Sequence, residues 1–431
     1  MNSSYLSAGL TLAGTLFCGL AAADGTLTPI QNPPTFTFSS FGTLGAVQTN
    51  TDQALFTTGE EAYGATKKAD FGPDSKIGGQ MDVKFNNEFS ATVQLFSKQN
   101  AAGNYNPDVE WAFGKLKVGD GFDLRLGRIG APFFMASDFR NVGYTNVSVR
   151  TPIDVYGLVP FRSFDGGDLL YSTDIGSTTI NGQIWLGKAS VLAGNTNGSD
   201  SVITIDNIAG INLSVENGPL TVRVGSVKAR LGTYGSGLAG FNSLLGGLNT
   251  LSAAPGLSSL STIGDNLAMN GKFASFTDIG AVLDWDKWIG TTEVVKRTTG
   301  STYIPTVTAW YATLGYRIES FTPYVSFSGR HTNSITSVNS PQVSPLLPPL
   351  VQGTVPVLIA GVNSLLSDTS ERTSALGVRW DVGKNYDIKA EYQRINVPAN
   401  SAGVFDFPVT GGRFSTDTSV NVMSLVVDFV F

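Results

Sequence analysis

The sequence predicts an all-β protein: a transmembrane antiparallel β-barrel of about sixteen strands, with short turns at one end and long loops at the other. Three observations carry this. Apolar and polar residues alternate with a period of two, in segments near the ~9–11 residues that a membrane-crossing strand needs. The connections between these segments alternate between short and long. The sequence closes on SVNVMSLVVDFVF, in which Met423, Leu425, Val427, Phe429 and Phe431 share one apolar face.

Composition excludes several other classes. Among 431 residues only 14% are charged, well below the usual quarter, while 50 are Gly. Mean hydropathy is only +0.07, and no apolar run reaches the ~18 residues of a membrane helix. A net charge of -6 and a pI near 4.9 argue against a nucleic-acid partner. Residues 1–23 read as a cleavable export signal: an apolar stretch from Leu6 to Ala22, then Ala21-Ala22-Ala23 before Asp24, with no Lys or Arg ahead of it. The one Cys, Cys18, lies inside that segment, so the expected mature domain, 24–431, can form no disulfide.

Taken in order, strands are expected at about 34–47, 75–85, 88–98, 108–118, 121–130, 166–175, 178–188, 204–216, 219–230, 271–286, 288–298, 306–319, 321–332, 371–383, 386–397 and 418–431. TAWYATLGYRIE shows the pattern: Trp310, Ala312, Leu314, Tyr316 and Ile318 on one face, Tyr311, Thr313, Gly315, Arg317 and Glu319 on the other. Short turns are expected at Asn86-Asn87, Gly119-Asp120, Gly176-Ser177, Asn217-Gly218, Asp286-Lys287, Glu319-Ser320 and Gly383-Lys384-Asn385. Long connections fall at about 48–74, 99–107, 131–165, 189–203, 231–270, 299–305, 333–370 and 398–417. Those at 231–270 and 333–370, rich in Gly, Ser, Leu and Pro, read as surface loops.

Lipid offers a backbone no hydrogen bonds, so a spanning sheet must close on itself. The last strand is therefore expected to pair with the first, near PTFTFSSFGTLGAV, with both ends of the sheet on the short-turn, periplasmic side and the long loops outside. Sixteen strands enclose enough space for water. Trp111, Phe122, Trp285, Trp288, Phe321, Tyr386, Phe429 and Phe431 lie near strand ends, where an interfacial girdle or ordinary sheet packing would place them.

One connection differs from the rest. The stretch 121–171, GFDLRLGRIGAPFFMASDFRNVGYTNVSVRTPIDVYGLVPFRSFDGGDLLY, is dense in aromatics and carries Asp138, Arg140, Arg150, Asp154, Arg162 and Asp165. Here the chain resembles the trimeric sixteen-stranded general diffusion porins of Gram-negative outer membranes, through LRLGRIGAPFF…VRTPIDVYG…FDGGDLLYS and the terminal Phe. The resemblance implies that the loop after the fifth strand folds inward as a constriction, its carboxylates facing basic residues on the wall. The loop acids would be Asp138, Asp154 and Asp165. Wall candidates are Arg125, inward by parity with Asp123, and Arg128, which is off that parity. Further along they are Arg223, Arg317, Arg330, Arg379 and Lys389. These basic residues do not form one compact ladder, and the inward acids Asp123, Asp278, Asp381, Asp387 and Glu391 roughly balance them. The same charges can instead hold the loop in place by ion pairs; the two roles are compatible. The resemblance further implies passive passage of small hydrophilic solutes and ions, outer-membrane lipid as surroundings, a homotrimer, and delivery to the barrel assembly machinery through the last strand, with Phe429 and Phe431.

Within the channel class, the alternative is a solute-selective, anion-preferring porin. Outside it stand an outer-membrane barrel enzyme and a soluble β-adhesin. For an enzyme the single His, His331, would need an orienting partner, and HTNSITS offers no known motif. No Cys/His/Asp cluster has metal spacing and no phosphate loop is present, so no cofactor, no metal and no catalytic residue is expected.

Overall fold

The two faces of each alternating segment become the two faces of a wall. In the computed structural model, which describes residues 33–59, 61–193, 201–333, 337–407 and 412–431, sixteen antiparallel strands close into one barrel. They are β1 (Thr35–Thr49), β2 (Lys76–Lys84), β3 (Phe89–Lys98), β4 (Asp108–Gly119), β5 (Phe122–Gly130), β6 (Ser163–Ile175), β7 (Thr178–Ala193) and β8 (Ser201–Asn217). The second half comprises β9 (Leu220–Tyr234), β10 (Phe273–Trp285), β11 (Trp288–Thr299), β12 (Val307–Tyr316), β13 (Phe321–Thr332), β14 (Glu371–Gly383), β15 (Tyr386–Val397) and β16 (Thr418–Val430). The expected signal segment, 1–23, and Cys18 lie outside the described residues.

The seam forms as the terminal alternation requires. β16 pairs with β1 from Phe41↔Val430 to Thr49↔Val422, and Ser40 and Phe431 exchange backbone hydrogen bonds. Met423, Leu425 and Val427 point outward and are exposed, whereas Val422, Ser424, Val426 and Asp428 are buried inside. Elsewhere the outward face is equally apolar: Leu126, Ile184, Ile211, Ile279, Trp310, Phe327 and Leu376 are all exposed. Aromatic pairs ring the short-turn end, among them Phe122 with Tyr171, Trp288 with Tyr316, Phe321 with Trp380 and Tyr386 with Phe431. The tight turns use positive φ where the hairpin needs it, at Gly176 (φ 63°) and Gly218 (φ 55°).

Two expectations need correction. The connections after β9 and β13 are not plain surface loops. They hold α2 (Ala239–Ser252), α3 (Ser259–Leu267) and α4 (Pro349–Leu365), which follow the one-turn α1 (Ile153–Tyr156) of the loop after β5. These three helices pack on one another through Leu248, Leu260, Leu267, Val355, Ile359 and Val362. Gly246, Gly247 and Pro356 disguise them in the sequence, and the buried Leu and Val stripe outweighs the poor propensity. β7 and β8 also run further toward the long-loop end than expected, with a bulge at Asn207 (φ 51°). The extra residue resets the alternation, so that Ile205 and Ile208 both face inward.

The lumen is not uniformly polar. Toward the long-loop end, Trp185, Ile205, Val227, Phe276 and Val295 of the wall pack against Phe133, Phe134, Leu158 and Phe161 of the loop after β5. Beside the seam, Val420, Val422, Ile395 and Val397 are covered by Phe56, Phe405 and Phe414 from the first and last long loops; Leu55–Phe56 and Phe405–Asp406 form a small two-stranded sheet there.

Candidate pore constriction

The loop after β5, residues 131–162, starts at the long-loop end and crosses the lumen. Its apolar residues give it a packed underside. Its backbone carbonyls, which no strand satisfies, need donors, and the wall supplies them. On β9, Arg223 donates to the carbonyls of Pro132 and Phe133 and to Asn212, while ion-pairing with Asp278 of β10. On β11, Arg297 reaches the Leu158 carbonyl at 2.9 Å. On β13, Arg330 reaches the Ile153 carbonyl at 2.8 Å. On β14, Arg379 donates to the carbonyls of Tyr144 (2.6 Å) and Asn146 (3.2 Å). On β15, Lys389 donates to the Gly143 carbonyl at 2.7 Å and to Asp428 at 2.8 Å.

Side chains complete the fastening. Arg150 is the deepest: buried, it forms a two-pronged bond with Asp74 (2.8 and 2.6 Å), donates to Ser424 of β16 at 2.6 Å and lies 3.6 Å from Glu391 of β15. With acids on two sides, its guanidinium is held protonated more firmly than usual despite the cost of its burial. Asp154 accepts hydrogen bonds from Ser328 (2.8 Å) and Thr373 (3.4 Å). Tyr156 donates to Glu293 at 3.3 Å, and the Met135 amide donates to the same carboxyl at 3.2 Å. Burial, with Glu293 nearby, pushes the Tyr156 hydroxyl pKa up, so it stays a donor. At the loop's return, Arg162 pairs with Glu110 of β4 at 3.1 Å and Arg140 donates to the Phe161 carbonyl.

This leaves one sector of polar wall facing the loop's free edge, where Asp138 and Phe139 are exposed to the lumen. That wall carries groups of hydrogen-bonded side chains: Asp82 accepts from Gln80 and Thr92, Gln94 donates to Gln80, and separately Lys115 pairs with Asp123 at 3.3 Å. Arg125 of β5 then pairs with Asp168 of β6, which also accepts from Gln183. Asp138 opens on lumen water but has protein on every side. This partial desolvation lifts its carboxyl above the ordinary range against the pull of Arg125 and Arg223.

Of the residues singled out from the sequence, Arg125, Asp138, Arg140, Arg150, Asp154, Arg162, Arg223, Arg379 and Lys389 meet within the lumen or on the loop that crosses it. Three do not. Asp165 belongs to β6 rather than to the loop, and it bonds Arg128 of β5 at 2.7 Å. Both share a face with the exposed Leu126 and Leu169, so this ion pair stands on the outside of the barrel. The alternation runs unbroken along β5, which fixes Arg128 outward. Arg317 lies just past β12 at the short-turn end, clasped by Asp284 at 2.6 Å. At the seam, the Phe429 ring occupies the space above Gly42 that a Cβ would fill. His331 is exposed at the long-loop end of β13, opposite Thr308.

Several anchoring residues escaped the sequence reading: Asp74, Glu110, Glu293, Arg297 and Asp428. Parity could have found Asp428, which falls between the outward Val427 and Phe429. Nothing local marks Asp74, which sits in the connection before β2.

A closed sixteen-stranded antiparallel barrel with an apolar outer belt and a loop folded into its lumen defines the outer-membrane channel fold. Among solved structures, the chain is similar to the outer membrane channel DcaP of Acinetobacter baumannii, with a TM-score of 0.54 and 10% identity over 93% of this chain and 98% of that one. It is also similar to Salmonella typhi OmpF, solved in complex with daunomycin, with a TM-score of 0.51 and 10% identity over 92% and 97% of the two chains. At such identity the likeness is one of fold. No protein-family model matches the chain, and no curated protein matches it by sequence.

Proposed function

We propose that the protein is a passive diffusion channel of the outer membrane for small hydrophilic solutes and ions, with residues 131–162 as its constriction. The observation that carries this reading is the asymmetry of the lumen. The loop is fastened to the wall from β9 round to β16 and, through Asn141 and Arg162, to Glu110 of β4, while its free edge, with Asp138, faces the rest of the polar wall of β2–β6. Solutes would pass along that wall, in a field set by Asp138 and Arg140 on one side and Lys115, Asp123 and Arg125 on the other.

Because most lumen charges are already paired, we expect weak ion selectivity. The short turns would face the periplasm. Export by residues 1–23, cleavage near Ala23-Asp24 and assembly as a homotrimer belong to the same proposal. It makes the protein no enzyme, and the exposed position of His331, away from the loop, is in keeping with that. Purified protein added to a planar lipid bilayer should produce stepwise ion currents that close in three levels, with small reversal potentials in a salt gradient. A preparation folded by heat-modifiable gel migration yet silent in the bilayer would overturn the reading, and a strongly anion-selective current would overturn the expectation of weak selectivity.

A further inference from the structure

Between the root of the inward loop and the wall of β8–β11 lies a cavity of about 280 Å³, lined by Phe133, Leu158, Ile205, Val227, Phe276 and Ile304. These wall residues face the lumen by strand parity, so a dissolved molecule can reach the cavity and a bilayer lipid cannot. Apolar walls hold water poorly, and a void of this kind favours an apolar occupant. It is larger than the roughly 150 Å³ of an apolar cavity that stays dry and takes up benzene, so it has room for a medium-length alkyl chain.

Two charged residues border this cavity: Lys228, whose side chain is turned outward by the parity of β9, and Arg297, which faces inward. Arg297 of β11 donates to two backbone carbonyls, Leu158 at 2.9 Å and Pro305 at 3.2 Å. Its Nε is buried with no hydrogen-bond partner. Among the described residues, no carboxylate lies within ion-pair distance of it, whereas Arg125, Arg150, Arg162, Arg223 and Arg379 each have one. A guanidinium carries five N–H donors, and two bonds to carbonyls leave most of its capacity and all of its charge unanswered. An apolar slot ending in an unanswered cation is complementary to a molecule with an alkyl chain and an anionic end.

We propose that this cavity binds a medium-chain monocarboxylate, its carboxylate on Arg297 and its chain among Ile205, Val227 and Phe276. The site goes beyond conduction and stands without it, because occupancy can be measured whether or not current flows. The test is calorimetric titration of octanoate into the full folded protein in lipid nanodiscs, free of alkyl detergent, with protein-free nanodiscs as the measure of partitioning. Saturable binding of one octanoate per chain is expected. It should weaken at least tenfold in Arg297→Gln and at least tenfold for octan-1-ol, and disappear in Ala229→Phe, which fills the cavity while keeping the charge. Absence of saturable heat above protein-free nanodiscs would overturn the proposal. So would equal affinity in the wild type and Ala229→Phe, or equal affinity for octanoate and octan-1-ol. If Arg297→Gln fails to fold, Ala229→Phe and the alcohol comparison decide the matter alone.

Discussion

Arg150 shows how one side chain can hold a long loop. It bridges the first long connection, through Asp74, and the last strand, through Ser424, and its guanidinium lies over the Phe56 ring. Removing it strands Asp74 and Glu391 in a buried site, a defect that costs about 3–5 kcal/mol where a buried pair is broken. Arg150→Ala should therefore lower the urea midpoint for unfolding and give noisier, larger single-channel currents as the loop loosens. Asp138 supplies a second test. Its carboxyl is raised, so the folded protein binds that proton more tightly than the unfolded chain, and the associated stability falls as pH rises through the raised pKa. Neutralisation on acidification should accordingly begin above the ordinary Asp value of 3.8 and shift reversal potentials toward anions. Asp138→Asn should show the anion-shifted potential at neutral pH already, and the two proteins should converge as the wild type protonates.

At the scale of elements, strands were far more legible than what lies between them. A strand advertises itself through period two, so β13, β14 and β15 fall on their expected limits and β3 starts one residue later than expected. Helices α2 and α4 did not, because α4 finds its partners, α2 and α3, about a hundred residues away in sequence, and their Gly and Pro content masks the stripe. The inward loop was legible as an unusual segment and in most of its charges, but its seat was not. Five wall cations, Arg223, Arg297, Arg330, Arg379 and Lys389, hold the loop by its carbonyls, and a carbonyl has no letter in the sequence. Gly143 marks the tightest of these contacts: a Cβ there would overlap the side chains of Asp428 and Thr43. Gly143→Val should lift the middle of the loop from the seam while leaving the barrel intact. The expected readout is an altered single-channel conductance together with unchanged heat-modifiable migration.

For the molecule as a whole, closure is the governing constraint, and the seam is where it can be tested. Removing residues 429–431 deletes the Gly42↔Phe429 and Phe41↔Val430 pairs and the reciprocal Ser40–Phe431 bonds. Exposed edges in a sheet surrounded by lipid carry unsatisfied amides, each costing several kcal/mol. The truncated chain should fail to reach the compact, heat-modifiable form in gels, whereas Phe431→Leu should still reach it. Architecture at this scale was readable from the alternation and from the rhythm of connections. The apolar cluster at the long-loop end of the lumen was not, because the bulge at Asn207 breaks parity there and because inward Val and Ile look like any other buried strand residue.

The way the inward loop is held has an evolutionary corollary. Arg223, Arg330, Arg379 and Lys389 grasp main-chain oxygens, which every amino acid possesses. Side chains along the loop's free edge can thus be exchanged without unseating it, and selection can rewrite what that edge presents to the lumen while its hinges stay bolted.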